Sequence, residues 1–205
     1  MPAPAEFASA PELRAFFVNY LRVTFDPQHD LSVTADYWCP DSHSVAGQFT
    51  LWNRGTETRS IRLLLSAVLK AIENPQPLAP SNLDNATVLE GRTGNLDIVV
   101  LLEGVAEIEP TPHATLFRTL EIKPDESISV RWVESSLPSP VAGSQPRAPT
   151  DGGGPGENLA SIRTLLAREW EGEFARIELL NAGLLDIETG DKDWDAAFAF
   201  AQTVA

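Results

Sequence analysis

The sequence predicts a mainly β protein: a β-sandwich, immunoglobulin-like or a larger super-sandwich, followed by a flexible linker and two C-terminal α-helices. Three observations carry this. Short apolar/polar alternations recur along the first two thirds of the chain, with breaks of Pro, Asp, Asn and Gly between them. A Pro/Gly/Ser-rich stretch then interrupts the text. Beyond it the apolar period changes from two to between three and four. The implied units are 1–134 for the sandwich, 135–156 for the linker and 157–205 for the helical segment.

Taken in order, Ser9 and Glu12 have capping-box spacing with Pro11 between them, which predicts a short helix before the first strand. Leu21, Val23 and Phe25 alternate with polar residues, as do Leu31, Val33, Ala35 and Tyr37, and then Val45, Gly47, Phe49 and Leu51. Later runs are Asp97 to Leu102, Leu116 to Ile122, and Ser127 to Val133. Seven or eight strands are expected. Ser60 to Leu69 fits both a strand and a helix and is assigned to a strand, with the preceding "NRGTETR" as a hairpin connection.

The stretch "SSLPSPVAGSQPRAPTDGGGPG" has almost no large apolar side chain to repay the entropy of ordering it, so it is read as the linker. After it, Leu159, Ile162, Leu166, Trp170, Phe174, Ile177 and Leu180 form one stripe, which predicts a single helix from Asn158 to Asn181. Gly183 is its expected stop. Thr189 or Asp191 is expected to cap a final helix. Trp194, Ala197, Phe198 and Ala201 give that helix an apolar face. Two amphipathic helices need more covering surface than the sandwich is expected to supply.

Bulk properties exclude several functions. The 205 residues carry 29 acids against 15 bases, a net charge of −14. Nucleic acid and anionic membranes are therefore not expected partners, because their phosphates would repel this surface. The single cysteine, Cys39, excludes a disulfide framework within the chain and reads as a part-buried apolar residue. No signal peptide or membrane-spanning run is visible, so a cytoplasmic location is expected.

No nucleophile elbow, phosphate loop, zinc signature or dinucleotide fingerprint occurs. No catalytic residue, metal or cofactor is therefore assigned. His29, His43 and His113 are far apart and read as loop residues. The acidic run Asp186, Glu188, Asp191, Asp193 and Asp195 reads as helix capping and favourable charge at a helix N-terminus. For a glycan-binding surface the candidates are Trp38, Trp52 and His43, around the loop "CPDSHSV", since exposed aromatic rings stack on the apolar faces of sugars. Tryptophans in sandwiches also fill cores. Parity places Trp52 opposite Phe49 and Leu51, and Trp38 opposite Leu31.

The segments "VAGQFTLWNRGTETRSIRLLL", "LEGRTGNLDIVVLLEG" and "LEIKPDESISVRWV", followed by "LLAREWEGEFARIELLNAGLLDIETGDKDWDAAFAFAQ", resemble a known arrangement. It is the N-terminal region of bacterial six-hairpin, (α/α)6-barrel glycosidase-like proteins, among them glucoamylase-like and glycogen-debranching-like enzymes. The resemblance implies a sandwich that braces a helical barrel. Acid and base carboxylates on that barrel would hydrolyse O-glycosidic bonds with inversion, so no catalytic residue carries over to this chain. It also implies that the final helix meets neighbours this chain does not contain. The alternative is a stand-alone sandwich module that binds a glycan or partner protein, or dimerises through its C-terminal helices.

Overall fold

The computed structural model describes residues 7–70, 72, 75–109, 113–138, 155–183 and 188–204. It is mainly β, with eleven strands and three helices among these residues. The strands are β1 (Glu12–Phe17), β2 (Tyr20–Gln28), β3 (Leu31–Trp38), β4 (Ser44–Asn53), β5 (Arg59–Ser66), β6 (Gln76–Leu83), β7 (Ala86–Thr93), β8 (Leu96–Leu102), β9 (Glu107–Ile108), β10 (Thr115–Ile122) and β11 (Ser127–Pro138). An eight-stranded antiparallel sheet runs β1-β2-β3-β4-β11-β8-β7-β6, and a three-stranded sheet runs β5-β10-β9. The large sheet alone has more strands than an immunoglobulin constant domain has in both.

The alternating segments form strands because one face of each buries its apolar set. Leu31, Val33, Leu51, Leu89, Ile98, Val100 and Val130 of the large sheet meet Leu116, Leu120 and Ile122 of the small one. This is the core between the sheets. The link from β4 to β5 is not a hairpin: β5 pairs with β10 in the other sheet. Asn53 makes that corner. It is fully buried, and its side-chain amide donates to the carbonyls of Glu57 (2.8 Å) and Ile122 (2.9 Å).

β6 and β7 lie where the apolar alternation is weak. β6 contains Pro77 and Pro80, and it is an edge strand, where a missing N–H is tolerated. It turns into β7 through Asp84 and Asn85, both at positive φ (47° and 65°), with Leu83 paired to Ala86. This is the two-residue turn whose twist suits a hairpin. The helix expected before the first strand is absent: Glu12 begins β1, and Ser9 instead accepts the Asp26 N–H through its hydroxyl at 2.9 Å.

The single helix expected over 158–181 is two, α1 (Pro155–Leu166) and α2 (Trp170–Ala182). Glu169 breaks it. Its backbone is extended (φ −87°, ψ 100°), and its carboxylate caps α2 by accepting the Gly172 N–H. The apolar stripe survives the break, and both helices lie on the outer face of the large sheet. α2 ends before Gly183, as expected, although Gly183 is right-handed (φ −87°). The third helix, α3, spans Lys192–Val204. Its N-cap is Asp191, which accepts the Asp193 N–H at 2.9 Å, while Asp195 accepts both the backbone N–H and the hydroxyl of Thr189. The capping role read for this acidic run is therefore seen in Asp191 and Asp195; Asp186 and linker residues 139–154 lie outside the described residues.

Candidate functional site

The helix-bearing face of the large sheet is built in rows, because paired residues across adjacent strands share a face. Tyr20, Trp38, Ala46, Val133, Leu101 and Val88 form one continuous row across β2, β3, β4, β11, β8 and β7. All are buried, and with Leu159, Ile162, Leu165, Trp170, Phe174 and Ile177 they form a second core. Aromatic rings make the seal: Trp38 meets Trp170 and Phe174 with centroids 5.6 Å away in each case, edge to face. The Trp170 indole N–H donates to the Leu165 carbonyl at 2.9 Å.

The next row is ionic. Asp36, 2% exposed, accepts from the Tyr20 hydroxyl at 2.6 Å and from Arg22 Nε at 2.7 Å. Arg22 reaches on to Glu178 of α2 at 3.0 Å. Two strands away, Arg131 donates to Gln48 at 2.9 Å and lies 4.9 Å above the Trp170 ring, while Gln48 donates to Glu171. Burial, then the bond to Asp36, pushes the Tyr20 phenol far above its usual range, so it stays a donor. The Glu171 backbone N–H, with Gln48 and Arg131, holds that carboxyl below the usual carboxylate range against a desolvation effect that opposes it. This row fixes the position of α2 with charge-assisted bonds.

Past the helices the same face is open and carries hydroxyls. Thr24, Thr34, Thr50 and Ser129 form a row, and beyond it Ser32, Trp52 and Ser127 form another. Trp52 is 46% exposed, on the face its parity predicts. Trp38 also lies on its expected face, opposite Leu31, but at 4% exposure beneath α2 it has no ring face to offer a sugar. His43 is exposed in the loop before β4, where its N–H donates to Asp41 and its carbonyl accepts from Ser136. His43 and Trp52 sit at opposite ends of β4, about 30 Å apart at 3.3 Å per residue, so the three candidates do not converge. Cys39, expected to be part-buried, is exposed.

α3 differs from its neighbours. Trp194 and Phe198 pack against one another with tilted rings, centroids 6.0 Å apart, and remain 61% and 39% exposed. Leu179 and Leu180 on α2 are also exposed. A further apolar feature was not legible in the sequence. An open cavity of about 180 Å³ lies at the tip of the β1–β2 hairpin, lined by Phe16, Val18, Leu21, Tyr37, Cys39 and Val45 among others. Among the described residues, no group of three or more His, Cys, Asp or Glu is placed to hold a metal. No described helix is long and apolar enough to cross a membrane.

No family model matches the chain, and no curated protein matches it. Solved structures do. A polysaccharide lyase superposes with a TM-score of 0.46 at 11% identity, covering 58% of this chain and 22% of the lyase. The Slr1438 protein of Synechocystis sp. PCC 6803 superposes at 0.45 with 12% identity, over 62% of this chain and 65% of that one. A protein described as a kojibiose phosphorylase from the human microbiome superposes at 0.42 with 9% identity, over 90% of this chain and 23% of its own. The chain thus spans less than a quarter of the lyase and of the phosphorylase. At these scores the likeness carries no statement about activity.

Proposed function

We propose that this chain is the non-catalytic N-terminal region of a carbohydrate-active, glycoside hydrolase-like protein, and that it braces a helical barrel through α3 and the outer side of α2. The observation that supports this reading is the exposure of Trp194 and Phe198 on a well-capped helix, in contrast to Trp170, Phe174 and Ile177 of α2, which are buried against the sheet. A helix with one oily face gains stability by packing against another apolar surface. Hydrolysis would be performed on the barrel. The test is hydrogen exchange on the chain alone and with the nearest-encoded helical glycosidase-like domain. Protection appearing in α3 only with that domain supports the reading. An α3 protected as well as α2 in an isolated monomer, or sugar release by this chain alone from soluble glucans, counts against it.

A second reading is a glycan-binding sandwich module. It is favoured by Trp52, whose exposed ring stands between Ser32 and Ser127 beside the Thr50–Ser129 hydroxyl pair at 2.9 Å. Affinity electrophoresis in neutral polysaccharide gels, with Trp52→Ala as control, separates the two. Retardation abolished by that substitution supports a sugar contact.

A further inference from the structure

The hairpin cavity comes with a feature that matches it. β1 carries a bulge between Leu13 and Ala15: Leu13 pairs with Val23, Ala15 with Arg22 and Phe16 with Leu21. Leu13 and Phe16 are three residues apart and would otherwise point to opposite faces. The extra residue brings both to the face that carries Leu21 and Tyr37. Phe16 is then 72% exposed, Leu13 62% and Val18 55%. A large aromatic knob therefore stands at the rim of an apolar hole.

Size, symmetry and charge point to the same occupant. An enclosed apolar cavity of about 150 Å³ accepts one benzene ring, and this open one, at about 180 Å³, has room for a ring of that size. A surface bearing a knob and its hole side by side is what a two-fold interface requires, because each copy offers the same patch. The cavity lining has no charged side chain. Glu12 and Arg14, next along β1, already form an ion pair. On a chain of net charge −14, an uncharged patch adds no repulsion of its own when two copies meet there. The bulge interrupts the outer ladder of β1 and disfavours strand addition, so the contact is made by side chains. We propose that the chain forms a two-fold homodimer in which Phe16 of each copy fills the hairpin cavity of the other. This contact is separate from α3 and does not depend on the bracing role.

The test is sedimentation velocity over a wide concentration range, together with cross-linking of the one cysteine by a short bis-maleimide. Cys39 lies in the cavity wall, so the dimer brings its two copies together. A concentration-dependent dimer linked through Cys39 is expected. Phe16→Ala weakens it by about thirtyfold or more, and Val45→Phe, which fills the hole, does the same, with circular dichroism unchanged because Phe16 is exposed. Trp194→Ala leaves the dimer intact. A monomer at every concentration, a dimer indifferent to Phe16→Ala, one without the Cys39 link, or one lost instead in Trp194→Ala overturns the proposal.

Discussion

α2 and α3 are each thirteen residues long, each with acids in the first turn and an aromatic pair on one face, yet their surroundings are opposite. Trp170 and Phe174 are 0% and 2% exposed, whereas Trp194 and Phe198 are 61% and 39%. The difference lies in what faces them. α2 meets a row of Tyr20, Trp38 and Ala46 with an ionic row beside it, while no described part of the chain offers α3 such a row. Amphipathicity therefore makes a helix dockable, and a matching row on a sheet decides whether it docks.

Trp170→Ala tests the docked side most severely. It opens a cavity among Trp38, Phe174 and Leu165, and about 4 kcal/mol of stability is expected to be lost in urea denaturation. Asp36→Asn comes next. It removes the charge that holds Arg22 and Tyr20 at the α2 boundary, for a loss of about 2 kcal/mol once the partial exposure of Arg22 is allowed for. A loss no larger than that of an ordinary surface substitution would mean that the ionic row does not hold α2.

Acid sharpens the contrast. The hydroxyl and then the backbone N–H of Thr189 hold the Asp195 carboxyl below its ordinary value. A carboxyl depressed in the folded state contributes stability above its unfolded pKa and loses it as pH falls through the folded one. Lowering the pH through and below the usual aspartate range should thus loosen the first turn of α3, whereas α2 loses the contribution of its Glu171 contacts but keeps its aromatic seal and is expected to stay docked. An NMR titration of the Thr189 amide reads this, and Asp195→Asn should abolish the transition. The smallest effect is expected from Trp194→Ala, within about 0.5 kcal/mol in the isolated chain. A loss as large as that of Trp170→Ala would erase the distinction between the helices.

The alternations of β3, β4 and β11 were legible because each buries one face against a second layer, and Trp52 followed its parity onto the open one. The period of two also placed Trp38 opposite Leu31. It could not say that α2 would cover that face, since the contact spans more than 130 positions of sequence. β6 hid behind two prolines that only an edge position permits. The break between α1 and α2 was invisible because the apolar spacing runs through Glu169 undisturbed. The hairpin cavity draws its walls from β1, β2, β3 and β4, and its knob depends on a single extra residue in the ladder, for which the sequence carries no mark.

The place of β11 between β4 and β8 has a consequence for how the molecule is made. The strands on either side of it come from two separate runs of the chain, β1 to β4 and β6 to β8, and β11 follows both of them in chain order, the last of the described strands to be synthesised. Until it emerges, each run is a half-sheet with a bare inner border, β4 on one side and β8 on the other, and the non-local pairings that join them must wait. Such borders are sites of misassembly in a nascent polypeptide, so damage to β11 should show first as insoluble product rather than as a lower melting point.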